Sequence, residues 1–375
     1  MPLRALARVN LAAIERNVAR LRSELTGNQA LCAVVKANGY GHGALQAAQA
    51  ALAGGASWLA VATAEEAMEL RRGGIEAPIL VMGAVSSEEL DVAIAAGAEL
   101  VAWNEQFVDR VVAASRSNGQ VGLHVKFDTG MGRLGTRQLD QALAIATGVI
   151  EAGPEVRLAG AMTHFATADD DPEFLEHQLT AFRPFVTQMR QLEPDIVVHA
   201  ANSAATLREP ASHFDMVRCG IAIYGCDPMN EDPSRAGLEP ALELSSYVAT
   251  IKRTGVGESA GYGRRFVAVQ ETWIATLPIG YADGIRRAFT NNCDVLVRGG
   301  RYPLVGAVSM DNITIDLGPA GDVEVGDVAT IIGRQGQQVQ TAEALARRID
   351  TINYEIVCGI TARVPRLYHR DGEPA

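Results

Sequence analysis

Between residue 10 and about residue 225, short runs of apolar, β-prone residues alternate with stretches of helical periodicity, and few folds accommodate that alternation. Leu11, Ile14, Val18, Leu21 and Leu25 form an i, i+3, i+4 stripe, with Asn10 placed to cap it. Thr63 with Glu66, and Ser86 with Glu89, have the spacing of a capping box, and Gly73 and Gly97 stand where helices stop. The strand candidates between these helices are Leu31–Val35, Trp58–Ala62, Ile79–Met82, Leu100–Ala102, Val121–Phe127, Leu158–Thr163, Ile196–His199 and Met216–Arg218. That makes about eight βα units, the number that closes a parallel barrel. A doubly wound sheet also holds such alternation, so the count favours the barrel without excluding the sheet.

Past residue 236 the texture changes. Glu243–Val256, Thr272–Pro278, Asp294–Arg298, Ile313–Leu317 and Val328–Ile332 are β-rich and separated by glycine turns, and helical pattern is sparse until Thr341–Arg348. The expected architecture is α/β: an N-terminal (β/α)8 TIM-like barrel over residues 10–235, then a C-terminal mainly antiparallel β domain over residues 236–375. The boundary falls in Asp227–Gly237, rich in Pro, Asp and Gly. Leu3–Val9 reads as a strand of either domain, so residues 1–9 can join the second.

The 375 residues suffice for two such domains. A formal net charge of -11 argues against nucleic acid or an anionic membrane as main partner, so a basic site for a small anion must be local. Behind Met1 no long apolar core follows, because Arg4 and Arg8 interrupt it, and no apolar run reaches membrane length. The five cysteines (Cys32, Cys219, Cys226, Cys293, Cys358) are odd in number and scattered, with no C-x-x-C pair. A reduced, cytoplasmic protein with no cysteine-based metal site is expected.

In a parallel barrel, catalytic groups gather where strands end and βα loops begin. Lys36 closes the apolar run Ala30–Val35 and opens a glycine-rich turn carrying Tyr40. Apolar surroundings disfavour an ammonium, which is what a Schiff-base lysine needs; the plain alternative is a lysine that starts a surface loop. Lys126, Asp128 and Arg133 follow the fifth strand, His164 ends the sixth, Asn202 and Ser203 follow the seventh, and Arg218 and Gly220 follow the eighth. Singly, His164 could be a satisfied core histidine and Arg218 an ion-pair partner. Polar groups on one rim from so many strands are harder to ascribe to chance. Ser203 offers a hydroxyl at a helix start, and Gly220 and Ile221 offer backbone N–H groups after the last strand, the usual barrel location for a phosphate. The residues alone describe a barrel for a phosphorylated cofactor, with a lysine able to form an imine.

A set of motifs then occurs in order: AVVKANGYGHG (Ala33–Gly43), KFDTGMGRLG (Lys126–Gly135), MTHFATAD (Met162–Asp169), ANSAAT (Ala201–Thr206), RCGIAIYG (Arg218–Gly225), GYG (Gly261–Gly263), PIGYADG (Pro278–Gly284), SMDN (Ser309–Asn312) and NYEIVCGITARVPRLY (Asn353–Tyr368). Together they closely resemble the alanine racemase family, pyridoxal-phosphate enzymes that interconvert L- and D-alanine, over nearly the whole chain.

The resemblance implies that Lys36 carries pyridoxal 5'-phosphate covalently and, once released, acts as base on the face bearing the proton of D-alanine. Tyr262 matches the tyrosine that serves L-alanine on the opposite face; outside this context it would read as a β-domain core residue. A phenol titrates near ~10 in water, so a phenolic base needs positive charge beside it near neutrality. Arg218 and His164 are expected to supply that charge, with Arg218 also facing the cofactor's ring nitrogen. Arg133 matches the residue near the cofactor's phenolic oxygen and the substrate carboxylate. Lys126 stands where family members often carry a carbamylated lysine; the alternative is an ordinary lysine paired with Asp128.

Tyr40, Ser203, Gly220, Ile221 and Tyr354 match phosphate contacts, and Asn202 and His164 belong to the same cofactor set. Met310 matches the residue that receives substrate through its backbone, and Tyr281 and Tyr354 match the pair narrowing the entrance. His42 reads as loop structure, and Ser309 replaces a residue that is often cysteine in the family. The family pattern is a head-to-tail homodimer in which each site borrows Tyr262 and Met310 from the other chain, supplying D-alanine for peptidoglycan. A broad-specificity amino-acid racemase is the nearest rival reading. A decarboxylase on the same plan gives no reason for GYG and SMDN, and a one-barrel cofactor carrier predicts no second domain.

Overall fold

The computed structural model describes residues 3–116, 119–319 and 322–375; Met1 and Pro2 of the expected N-terminal strand lie outside them. The chain divides into two compact units. One comprises Ile14–Ile223 with Ala236–Leu238; the other comprises Met1–Ala13, Tyr224–Arg235 and Glu239–Ala375.

Strands are numbered in chain order: β1 Leu6–Asn10, β2 Ala30–Val34, β3 Trp58–Val61, β4 Ile79–Val81, β5 Glu99–Ala102, β6 Val121–Lys126, β7 Val156–Met162, β8 Val197–His199, β9 Met216–Cys219 and β10 Leu242–Tyr247. In the first unit β2 to β9 close into a parallel barrel, sealed where Ala30 pairs with Met216 and Cys32 with Arg218. These strands are covered on both faces, so they read as continuous apolar runs rather than alternating ones. The helices between them start where the caps stand. Thr63 accepts from Glu66 N at 3.2 Å while Glu66 accepts from Thr63 N, also at 3.2 Å, and Glu89 accepts from Ser86 N at 2.7 Å.

The second unit is mainly antiparallel. Its large sheet runs Gly300–Pro303, Asp294–Val297, Val328–Gln335, β10, β1, Arg366–Arg370 and Glu373–Pro374, with Gln338–Gln340 added beside Val328–Gln335. The N-terminal segment thus joins this sheet as β1, antiparallel to β10 and parallel to Arg366–Arg370. A second sheet holds Thr250–Thr254, Thr272–Leu277 and Ile313–Asp316. The β-rich segment Glu243–Val256 is therefore two strands in two sheets. At the break, Val248 N donates to Asp327 O and Ala249 N to Thr276 O. The helix Asn353–Cys358 is too short to leave a periodic signature in the sequence.

Candidate active site

Directly after Lys36 the backbone turns left-handed: Ala37, Asn38, Gly39 and Tyr40 have φ of 52, 52, 62 and 50°. Side chains in this region cost roughly 1–2 kcal/mol each, so the turn needs outside support. Glu66 Oε1 accepts from Ala37 N at 2.6 Å, Asn38 Oδ1 accepts from Ala44 N at 3.0 Å, and His42 Nδ1 meets the carbonyls of Gly39 and Tyr40 at 3.1 and 2.9 Å. His42 is loop structure. Lys36 is left partly exposed just past the end of β2, and Tyr40 is buried.

Tyr40 meets the end of β9. A Cβ built on Gly220 would lie 2.5 Å from the Tyr40 hydroxyl oxygen, so only glycine leaves that space open. Ser203 Oγ accepts from Gly220 N at 2.9 Å, and Ile221 follows at the head of a short 3-10 turn, Ile221–Tyr224. Asn202 spends its Oδ1 as N-cap of the helix Ser203–Arg208, accepting from Ala205 N at 3.0 Å.

Arg218, near the end of β9, is buried and almost fully engaged. NH1 donates to His199 Nδ1 at 2.8 Å; NH2 reaches Thr163 O at 2.9 Å, Ala200 O at 3.0 Å and His164 Nδ1 at 3.1 Å. Its Nε is buried with no hydrogen-bond partner among the described residues. Burial lowers Arg218 to about 10, still a cation at neutral pH. His164 is held well below the usual imidazole range, first by burial and then by Arg218, Lys126, Arg133 and Lys36. This corrects the expectation that both groups carry charge. Arg218 is the cation, and neutral His164 accepts its proton contact on Nδ1 and presents Nε2–H outward.

Lys126 ends β6 and is buried. Desolvation first, then the charges of Arg133 and Arg218, lower it to about 8. Asp128 is committed elsewhere: it accepts from Gly130 N at 3.1 Å, Gly132 N at 3.0 Å and Arg137 Nε at 3.2 Å. The ion pair of Asp128 is with Arg137 at 3.2 Å, while its charge also acts on Lys126, opposing the other three influences. Arg133 lies on the exposed loop after β6. The barrel unit therefore concentrates Lys36, Lys126, Arg133 and Arg218 around His164, a local cationic field in an acidic protein.

The other unit carries Tyr262, Tyr281, Met310 and Tyr354. Tyr262 lies between the short paired strands Ser259–Ala260 and Phe266–Val267, and is 76% exposed. Met310 is 53% and Tyr281 41% exposed. Their loops are tied: Tyr281 N donates to Ser309 O at 2.9 Å and Ala282 N to Met310 O at 3.0 Å, an approach that a Cβ at Gly280 would block. Asp283 secures the turn by accepting from Gly280 N and Arg4 NH1, each at 2.9 Å. The Tyr354 helix is anchored through Asn353, which donates to Asp227 O at 2.7 Å and Glu343 Oε1 at 2.9 Å. Among the described residues no cluster of His, Cys, Asp or Glu is arranged to hold a metal ion.

The sequence reading passed over Glu99, His124 and His199, which stand behind Arg218. Their signal is a charged residue and two histidines inside otherwise apolar barrel strands.

Residues 9–228 match the family model described as alanine racemase, N-terminal domain, and residues 241–368 match alanine racemase, C-terminal domain. The chain is 42% identical to the alanine racemase of Geobacillus stearothermophilus, covering 97% of this chain and 93% of that protein. It is 41% identical to that of Halalkalibacterium halodurans, covering 97% and 95%. Among solved structures, alanine racemase from a D-cycloserine-producing Streptomyces lavendulae superposes with a TM-score of 0.93 at 38% identity, covering 98% of each chain. The Bacillus anthracis alanine racemase with bound L-Ala-P superposes with a TM-score of 0.92 at 38% identity, covering 100% of this chain and 97% of that one.

Proposed function

The chain belongs to the alanine racemase family and is a pyridoxal-phosphate isomerase of alanine, and from that premise we propose how its residues divide the work. Lys36 serves the face bearing the proton of D-alanine, and Tyr262 of the partner subunit serves the face bearing that of L-alanine. Residues 10–235 hold the cofactor; residues 236–375 supply Tyr262 and Met310 to the site of the other copy. The working species is a homodimer in the cytoplasm that supplies D-alanine for peptidoglycan. Among the described residues no helix is long and apolar enough to cross a membrane.

Two features suit the residues present to this cofactor. The buried Arg218 Nε–H is a donor lacking an acceptor, which a pyridine nitrogen provides. The space kept open at Gly220, edged by the hydroxyls of Tyr40 and Ser203 and followed by the Ile221 backbone, suits a phosphate. Bound pyridoxal phosphate supplies an electron sink that loosens the α-proton of alanine.

The chain's own residues then set the outcome. Arg218 has only donors and keeps its proton, so it holds the ring nitrogen as an acceptor and moderates the sink. Charge at the α-carbon is returned quickly to a proton instead of spreading into transamination. His164 passes the influence of Arg218 outward through Nε2–H to the partner's Tyr262. Arg133 orients the substrate carboxylate, Lys126 as a carbamate would hold Arg133, and Met310 meets the substrate through its backbone. Tyr281 and Tyr354 narrow the entrance to favour a methyl side chain.

The observation that carries this reading is Arg218, with its NH1 and NH2 committed to the barrel and Nε left over. Following α-proton exchange in deuterated water tests the division of faces. Tyr262→Phe is expected to slow exchange of L-alanine about 10²–10⁴-fold, the usual worth of a general base, and D-alanine far less. Equal losses on both enantiomers would refute it.

A further inference from the structure

Behind Arg218 the barrel interior holds a run of polar side chains that the roles above leave unused. His199 Nδ1 lies 2.8 Å from Arg218 NH1, His199 Nε2 lies 2.7 Å from His124 Nδ1, and His124 Nε2 lies 2.6 Å from Glu99 Oε2. The other Glu99 oxygen pairs with Arg157 at the surface. Glu99 opens β5, His124 lies within β6, and His199 ends β8, so the run climbs from the amino-terminal rim of the barrel toward the carboxy-terminal one. Both histidines are fully buried.

The chemistry of its two ends gives the run one direction. A guanidinium only donates, so His199 accepts on Nδ1 and keeps its proton on Nε2. That proton is donated to His124 Nδ1, which leaves the proton of His124 on Nε2, donated to Glu99. Glu99 is the acceptor end: burial pushes its carboxyl up, but the hydrogen bond and charge of His124, with Arg157, outweigh this and hold it below the usual range. His199 is kept neutral by burial and by Arg218. No link asks two donors or two acceptors to face each other.

The barrel also makes room for the run. A Cβ on Gly160 of β7 would overlap the His124 ring, and one on Gly122 would lie 2.7 Å from Glu99 Cδ. Neither glycine has a positive φ, so what they provide is space.

We propose that His124 and Glu99 are positioning residues for racemisation: acting through His199, they keep Arg218 NH1 engaged and so leave Nε as the donor for the cofactor's ring nitrogen. The inference rests on the placement of Arg218 proposed above. Phenylalanine at position 124 keeps a ring of similar shape but accepts nothing. His199 must then either leave Nε2–H unpaired or move its proton to Nδ1, against the Arg218 donor. The second outcome removes the acceptor of Arg218 NH1; the first leaves a buried N–H unpaired and the His199 ring without the contact that fixes its Nδ1 against NH1.

The test uses the cofactor-loaded protein. In His124→Phe, kcat is expected to fall at least about tenfold with KM changed less than about twofold, and pyruvate formed per D-alanine to rise about fivefold, the scale of losing a supporting hydrogen bond behind a bound group. Glu99→Leu, which removes the acceptor of His124, should follow His124→Phe in direction, whereas Arg157→Ala outside the run should stay within about threefold of the parent. A folded His124→Phe with parental kcat and pyruvate ratio, altered only in thermal stability, would overturn the proposal. Nitrogen-15 NMR of histidine-labelled parent protein needs no substitution: both His124 and His199 should be neutral Nε2–H tautomers, and an imidazolium or an Nδ1–H form at either would overturn it too. Arg218→Lys separates the two claims. A parental pyruvate ratio there removes the placement of Arg218 and the relay with it. A raised ratio there, beside a parental one in His124→Phe, removes the relay alone.

Discussion

Arg218 NH2 lies 3.1 Å from Nδ1 of His164, and because the guanidinium can only donate, the contact dictates which histidine nitrogen bears the proton. In the placement proposed above, the same residue keeps the ring nitrogen of the cofactor from gaining a proton. A carboxyl group in its place would reverse both effects: it could donate a proton to the ring and would lose the contacts to Thr163, Ala200 and His199. Arg218→Glu is therefore expected to slow racemisation by about 10²–10³-fold, on the scale of losing a preorganised charge, while pyruvate appears as a by-product. A chiral assay run beside a pyruvate assay checks this.

Sharing of sites between subunits predicts complementation. Tyr262 and Met310 are large side chains standing 76% and 53% exposed, the kind of surface that marks an interface. Lys36→Ala and Tyr262→Phe should each be inactive alone. Mixed under conditions that exchange subunits, half of the dimers become hybrids with one intact site each, so activity should return to about a quarter of the parent level in a twofold-symmetric dimer. Persistent inactivity of the mixture, with hybrids demonstrated, would place both groups in one chain's site.

Much of this was legible in the sequence, and the exceptions share a cause. The barrel showed itself because strands buried on both faces, such as Ala30–Val34, leave unbroken apolar runs between capped helices. Lys36, Ser203 and Gly220 showed themselves because strand ends in a barrel point to one rim. The left-handed turn over Ala37–Tyr40 was not legible: alanine and tyrosine have no preference for it, and the support comes from Glu66, far along the chain. Nor was the pairing of Glu99, His124 and His199, since a linear string does not reveal which strand positions meet inside a closed barrel. The lowered basicity of His164 comes first from burial and then from four cations, all of which converge only in the fold.

Lys126 should make stability depend on pH in a direction opposite to most lysines. Burial, Arg133 and Arg218 bring it to about 8 in the folded protein, against about 10.4 in an unfolded chain. Between those limits the unfolded state binds more protons, so stability rises with pH across about pH 8 to 10. Below that window the folded protein bears the full penalty of a buried ammonium, about 3 kcal/mol at 1.36 kcal/mol per pH unit. In bicarbonate-free buffer, Lys126→Met should flatten the rise seen in denaturation midpoints. A neutral amine is also the form that adds carbon dioxide. Labelled bicarbonate should therefore give a carbamate carbon signal in the parent that is absent from Lys126→Met and weakens as the pH falls through about 8.

Gly220 offers the sharpest steric test of the phosphate cradle. A methyl group there would lie 2.5 Å from the Tyr40 hydroxyl oxygen, and Tyr40 cannot swing away cheaply because its own φ of 50° is locked into the turn after Lys36. Overpacking of this kind costs about 1–3 kcal/mol. Concentrated on the cofactor cradle, that is about a 5- to 150-fold weaker affinity for pyridoxal phosphate, with kcat at saturating cofactor little changed. Tyr40→Phe removes the hydroxyl and, with it, both a phosphate contact and the atom that the new methyl would strike. Combined in one protein, the two substitutions should therefore cost less than the sum of each alone. Titrating cofactor-free variants measures all three. If the losses simply add, the methyl acts somewhere other than on Tyr40, and the cradle is not built as the close approach of these two residues implies.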